Sequence, residues 1–413
     1  MERLSQPLSI GERLRMRRMQ YKLSREVVAG LVGRSAEWLR QVESGKARLD
    51  SLTVIRGLAE ALHISDIRDL IEEPGPAVPS TLGPDPRLLA LRRAVIDRCS
   101  VLAFGGTASP RGATWASVQT ELDHTWSRWC TGADRYSYAM GRLPALLYTA
   151  RALCRRQGAD PDAERVLGGS YRLARSLLTR LGEHELALHA AHRALDLAEQ
   201  VADPLAVAAG AWHVAGCLLQ LGHHAEAVGF ATAAADNLAS EAGTSDLADP
   251  TDRERVAMTG ALRTTAAEAD AAQLNAAGCA SSLTLAQAAA TALGTDMCSR
   301  GVWFGPTEIG IAELQIALRL GRIADALRQS RTLEVPAEYP VERRSRYLVS
   351  LAVAHAHRGE DAAVLLALSQ AERECPEDLR FDQTARNHLA RLIRRDNRSM
   401  HSEVSRLAVA AGL

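Results

Sequence analysis

The stretch REVVAGLVGRSAEWLRQVES, Arg25–Ser44, decides the fold of the N-terminal part of this chain. It divides at Gly33 into two short segments with apolar residues at helical spacing. Ser24 and Ser35 stand just before those segments, where a hydroxyl can accept the unpaired amides of a first helical turn. Ala29 is small enough to let two helices cross closely. Gly33 falls where the chain must reverse and predicts a positive φ, which glycine adopts at little cost. Leu39 and Val42 are three apart and so face the first helix together. The other face of the second segment is polar. Two short helices across a tight turn, with a polar outer face, make the geometry that lays a helix into the major groove of DNA.

Several spaced positions together resemble the helix-turn-helix of the XRE, or phage-repressor-like, family. Ser24-Arg25-Glu26-Val27-Val28-Ala29 stands where the family usually has Ser-Gln-Glu-Glu-Leu-Ala. The run from Gly33 to Gly45 follows the recognition-helix pattern and ends in its Glu-x-Gly. Leu52–Leu62 resembles the fourth helix, and Ser65 caps a short fifth. The resemblance covers residues 9–72 and implies a five-helix DNA-binding domain, bounded at 9–73.

On a helix opened by Ser35, the exposed side chains near its start are Ala36, Glu37, Arg40 and Gln41, with Trp38 beside them. Arg40 suits bidentate pairing with guanine and Gln41 with adenine, while Glu37 can accept from cytosine N4. Trp38 replaces a commonly small family residue. It meets a thymine methyl or packs on the neighbouring helix, and the sequence favours neither. Arg25, Ser35, Lys46 and Arg48 are phosphate-contact candidates, aided by the positive end of the second helix. The family's usual Gln is Arg25 here, so any base contact of that Gln is not carried over. Arg13, Arg15, Arg17 and Arg18 read mainly as a solvated face of the first helix.

Charge agrees with this placement. Residues 10–48 carry ten basic and four acidic side chains, a net of +6, while residues 74–413 carry 36 basic and 38 acidic, a net of −2. Only the N-terminal segment has the positive bias that phosphate contact needs. Of 49 basic residues only Lys22 and Lys46 are lysine, a composition that points to a GC-rich, actinobacterial genome rather than to a function.

At 413 residues the chain exceeds one such module. Five of its 15 prolines lie in residues 74–86, which predicts a semi-extended linker. From 87 to 413 apolar residues recur every three to four positions, predicting helices almost throughout. A Gly, then a small or apolar residue at +5 and another at +12, recurs at Gly182 (Ala187, Ala194), Gly222 (Ala227, Ala234), Gly278 (Leu283, Ala290), Gly321 (Ala326, Leu333) and Gly359 (Val364, Ala371). This predicts stacked helical hairpins with the glycine in each turn, interrupted by a polar loop at Glu241–Asp252. The pattern resembles the tetratricopeptide repeat, with a longer period and without its closing proline. The expected fold is therefore all-α: a helix-turn-helix domain followed by a tetratricopeptide-like α-solenoid.

The order of Trp303–Glu308, opening a helix, Glu342–Leu348, opening another, and Ala371–Glu377, closing one, is similar to actinobacterial XRE regulators with a tetratricopeptide-like domain. These in turn resemble peptide-sensing regulators more distantly. The resemblance implies a transcription factor whose solenoid dimerises and senses a peptide or small-molecule effector. Trp303, Phe304, Arg343, Arg344 and Tyr347 are the ligand-groove candidates. The bland alternative is that the aromatic pair staples the helix at Pro306 while the arginines pair with Glu338 or Glu342. Specific reading by so small a module needs two copies about one DNA turn, roughly 34 Å, apart, so a homodimer on an inverted-repeat operator is expected.

Other chemistries find little support. No run of 18 apolar residues marks a membrane span, and no signal peptide opens the chain, so a cytoplasmic protein is expected. Seven scattered cysteines, none in C-x-x-C spacing, read as buried thiols. His189 and His192 share a helix face but lack further ligands, so neither a metal nor another cofactor is expected. Phe104-Gly105-Gly106-Thr107 lacks the Lys-Ser/Thr of a phosphate loop. No nucleophile–base arrangement suggests an enzyme. The alternative function is a constitutive DNA-binding or scaffold protein whose solenoid docks a partner protein.

Overall fold

The computed structural model describes residues 10–21, 23–47, 49, 51–62, 85–97, 112–157, 161–240, 247–395 and 397–413. Four helices open it: α1 (Ile10–Gln20), α2 (Arg25–Leu31), α3 (Ala36–Glu43) and α4 (Leu52–Ala61). Ser24 caps α2 by accepting from the Val27 amide at 3.3 Å, and Ser35 caps α3 by accepting from Trp38 at 3.1 Å. Gly33 turns the chain between them at φ +66°. Leu14, Val28, Ala29, Leu39, Val42, Leu58 and Leu62 form one small buried core. Gly11, which sequence reading passed over, lets α1 cross the end of α3: a Cβ there would lie 2.1 Å from the Val42 carbonyl oxygen.

The expected fifth helix at Ser65, the proline-rich residues 74–84 and the Phe104–Thr107 turn lie outside the described residues. The chain resumes at Asp85, which caps α5 (Pro86–Ile96) by accepting from the Arg87 amide at 2.9 Å. Pro86 thus belongs to the helix rather than to the linker. At a first helical position its missing N–H costs nothing.

Next come α6 (Trp115–Thr131), α7 (Arg135–Gln157), a short α8 (Pro161–Ala163), a π-helical turn (Glu164–Gly168) and α9 (Gly169–Arg180). Five hairpins then stack among the described residues. The first joins α9 to α10 (His184–Gln200), and the second pairs α11 (Pro204–Gln220) with α12 (His224–Ser240). The third pairs α13 (Pro250–Ala272) with α14 (Ala276–Leu293), and the fourth α15 (Pro306–Arg319) with α16 (Ile323–Ser330). The fifth pairs α17 (Val341–His357) with α18 (Asp361–Glu374). Gly182, Gly222, Gly321 and Gly359 occupy the turns at φ between +71° and +83°. Each leaves its helix through a left-handed residue whose amide serves the last carbonyls.

Gly278 is the exception, because it lies inside α14. The turn residue there is Leu274, at φ +62°, followed by Asn275, which caps α14 by accepting from the Gly278 amide at 3.2 Å. Counted from Leu274, the +5 and +12 positions are Cys279 and Ala286, buried at 3% and 0%. The repeat was legible but displaced by four residues, since the sequence signal sought was glycine and the turn uses leucine. Leu333 also departs from expectation. It lies beyond α16 in the following loop, over Gly310. The loop expected at 241–252 ends earlier, because Asp249 caps α13 and Pro250–Asp252 are helical.

Trp303 and Phe304 do not open a helix. They belong to a two-stranded antiparallel ribbon, β1 (Met297–Ser299) and β2 (Val302–Phe304), between α14 and α15. The Phe304 ring lies on Gly260 of α13, where a Cβ would approach within 2.2 Å. No disulfide joins any two of the six described cysteines, and Cys298 on the ribbon is exposed, against the expectation that all are buried.

Three terminal helices, α19 (Pro376–Phe381), α20 (Gln383–Arg395) and α21 (His401–Ala411), bring the chain back to its first helical pair. Asp378 accepts from Arg135 and, at 2.7 Å, from the Tyr136 hydroxyl; Glu377 accepts from the Tyr136 amide at 2.7 Å. Arg180 joins Glu342 at 2.5 Å and Asp382 at 3.3 Å. Phe381 stacks on Tyr136 with centroids 5.2 Å apart. Residues about 240 positions apart are thus fastened through buried charge, and the solenoid closes on itself.

Removing one partner of a buried ion pair costs about 3 to 5 kcal/mol, because the other charge remains unpaired. Asp378→Ala is therefore expected to lower unfolding stability by about that amount in a urea titration of the full chain. An exposed pair such as Arg328–Asp325 should yield less than about 1 kcal/mol on the same substitution.

Candidate nucleic-acid interface

Helix α3 is held by the carboxylate that ends it. Glu43, only 5% exposed, accepts from Arg18 of α1 at 2.6 and 3.1 Å and from Arg25 of α2 at 2.8 Å. Arg18 also donates to the Leu23 carbonyl at 2.9 Å. Burial raises the Glu43 carboxyl, and the two guanidinium groups outweigh it, leaving it below the usual range. Arg18 is therefore not part of a solvated face: its side chain is 11% exposed. Arg25, expected at phosphate, is also committed to Glu43, with its side chain 36% exposed. Sequence reading missed this clamp because a basic residue on a charged helix looks the same whether its partner is phosphate or a buried carboxylate.

The outer face of α3 carries Glu37, Arg40 and Gln41. Arg40 donates to Glu37 through two nitrogens at 2.5 and 2.7 Å, and Gln41 donates to it at 3.1 Å. The hydrogen bond from Arg40 takes the Glu37 carboxyl down to about 2, so it is charged throughout the neutral range. The three expected base readers thus form one exposed network in the free protein. Engaging bases requires exchanging these bonds for equivalent ones. Ala36 is half-buried beside them. Trp38 packs against the module's core, with the Arg34 guanidinium 5.7 Å from its ring centroid. Of the two readings the sequence left open, the structure thus gives packing. Ser35 spends its oxygen on the cap, and Lys46 is exposed after Gly45. Arg48 lies outside the described residues. On α1, Arg15 is exposed, and Arg17 meets His357 of α17 at 3.1 Å, a contact between the module and the solenoid.

A second site lies inside the closed solenoid, a cavity of about 500 Å³. Of the ligand-groove candidates, Trp303, Phe304 and Arg343 line it. Arg343 pairs there with Glu342 at 3.0 Å and Glu308 at 3.4 Å. Arg344 and Tyr347 do not reach it. Arg344 bonds Glu374 at 2.7 Å, and the Tyr347 hydroxyl donates to the Ser330 carbonyl at 3.2 Å. Sequence reading missed Arg175, Arg180, Trp126, Trp129 and Trp212 in the lining. The scarcity of tryptophan was the available signal, but only the closure of the solenoid gathers residues so far apart.

Residues 9–72 match a family model described as a helix-turn-helix domain. A comparison with curated proteins finds no match. Among solved structures, the chain is similar to Bacillus thuringiensis PlcR in complex with the peptide PapR7 and DNA. The identity is 13% and the TM-score 0.29, over 70% of this chain and 96% of that one. It is also similar to the apo form of the competence regulator ComR from Streptococcus vestibularis. Here the identity is 13% and the TM-score 0.18, over 86% and 98% of the two chains. At those scores the function rests on this chain's own residues.

The Glu43 clamp generates a prediction. Glu43→Ala should leave Arg18 uncompensated and cost the module about 3 kcal/mol. In amide hydrogen exchange of the full chain, protection of Val28 and Leu39 should fall by about a hundredfold. Protection in α9–α18 should be unchanged.

Proposed function

We propose that the chain is a sequence-specific, DNA-binding transcription regulator rather than an enzyme, of the XRE type and actinobacterial kind, acting in the cytoplasm. Its DNA-binding domain spans 9–73, a linker follows over 74–85, and the helical-repeat domain runs from Pro86 to the C-terminus. The protein binds double-stranded operator DNA as a homodimer on an inverted repeat. A peptide or small-molecule effector in the solenoid cavity changes the relative placement of the two reading helices.

The observation that carries this reading is the division of α3. Leu39 and Val42 are 1% and 2% exposed in the core, whereas the opposite face presents the Glu37–Arg40–Gln41 network to solvent. An ordinary surface helix also has two faces, but this one belongs to a matched helix-turn-helix domain in a segment of net charge +6. Arg40 and Gln41 supply the donors that suit guanine and adenine edges, and Lys46 supplies phosphate contact. The homodimer reading is supported by the last helices, where Ile393 (39% exposed) and Val409 (81%) leave apolar surface at the end of the solenoid. A terminal repeat normally covers such a surface.

Fluorescence anisotropy on DNA from upstream of the chain's own gene tests this reading. Arg40→Ala/Gln41→Ala should weaken binding by about 1 to 3 kcal/mol per lost contact and relax sequence preference. Lys46→Ala should weaken all sequences alike and reduce the salt slope by about one. Weak, steeply salt-dependent binding, equal for the native chain and the double variant, would contradict the proposal. The partner-docking scaffold would then take its place.

A further inference from the structure

We infer that the solenoid cavity binds a small organic acid, with its carboxylate on Arg175 and its flat apolar body among the tryptophans. The inference rests on the regulator reading only in casting this acid as the effector.

The lining is chemically selective. The chain has six tryptophans and is 4% aromatic, yet Trp126, Trp129, Trp212 and Trp303 all contribute to the lining of this one space. Trp129, only 3% exposed, also belongs to the core of the first helices with Trp126 packed beside it, whereas the clusters of the later hairpins consist mainly of alanine, leucine and valine. Indoles in the lining of a cavity suit a planar apolar body. The volume of about 500 Å³ is that of a site for a small organic molecule.

Charge supplies the second, independent argument. Five arginines and four carboxylates line the cavity, an excess of one positive charge. Glu342 is held by Arg180 and Arg343, Asp382 by Arg180, Glu308 by Arg343, and Glu268 by Arg346 at 3.6 Å. No carboxylate is left for Arg175 or for the half-buried Arg319, neither of which has an ion-pair partner among the described residues, and Arg175 is the deeper of the two. Its residue is only 8% exposed. Its Nε donates to the Cys217 sulfur at 3.3 Å, a weak acceptor, and its guanidinium lies 5.3 Å from the Trp212 centroid. Gly216 makes room for it, since a Cβ there would come within 2.3 Å of Nη2. A guanidinium so deeply placed, with a thiol and a ring for company, is short of an anion. An arriving carboxylate meets a planar, rigid donor fork already held by cation–π contact. The unpaired guanidinium of Arg175 matches one carboxylate, and the neighbouring indoles match an aryl or fused-ring body.

Isothermal titration of the full chain tests this with four probes: benzoate, phenylacetate, 1-naphthoate and 1-naphthylacetate, each beside its uncharged carboxamide. At least one acid should bind about tenfold or more tighter than its amide. Arg175→Met should abolish that difference, and Arg175→Lys should retain part of it. Should Arg175→Met melt early, Gly216→Ala provides the same reading by displacing the guanidinium with one methyl group. Acids indistinguishable from their amides, or a preference that survives both substitutions, would overturn the inference. Operator anisotropy with the bound acid separates the two readings. Acid binding without any change in DNA affinity upholds the site and removes its role as effector. Intact DNA reading without acid preference does the reverse.

Discussion

The buried charge cluster that joins the two ends of the solenoid is the constraint on which the rest depends. Helical hairpins contact only their neighbours and by themselves make an open ramp. Here Arg135, Tyr136 and Arg180 of the first helices meet Asp378, Asp382 and Glu342 of the last. Such pairs add little net stability over an apolar contact but are costly to break singly. Their effect is to select one closed arrangement over many open ones. Closure turns a concave surface into a cavity and brings residues from six or more helices to face one another.

The same physics recurs on a smaller scale in the DNA-reading module. Its core is a small cluster of leucines, valines, alanines and Ile55, with Trp38 packed against it. Glu43 ties α1, α2 and α3 through two arginines, so the pitch of α3 is fixed by a buried carboxylate. The exposed network of Glu37, Arg40 and Gln41 then orders the side chains proposed to read bases. Ordering of this kind reduces the entropy lost on binding. The Arg17–His357 contact joins α1 of this module to α17 of the solenoid.

Much of this was legible in the residues, and the failures are instructive. The caps at Ser24 and Ser35, the reversal at Gly33 and the buried pair Leu39 and Val42 follow from local rules of helix ends and spacing. The repeat glycines follow from left-handed turn chemistry, until Leu274 adopts the same conformation without glycine and shifts the apparent register to Gly278. Trp303 and Phe304 read as a helix start because Pro306 marks one, while a ribbon of three residues per strand gives no periodic signal. Partners distant in sequence were not legible. Nothing near Arg25 in sequence announces Glu43, nothing near Arg135 announces Asp378, and nothing local separates Arg343, which faces the cavity, from Arg344, which turns away.

The central claim is that a pre-ordered reading helix, carried by a closed solenoid, recognises DNA sequence as a symmetric pair. Selection of bound oligonucleotides from a random duplex pool by the full-length chain, followed by sequencing, tests it most directly. The account predicts enrichment of an inverted repeat whose half-sites lie about one helical turn, roughly 10 base pairs, apart, with guanine and adenine at the positions facing Arg40 and Gln41. A bound pool with the same sequence composition as the input would contradict it.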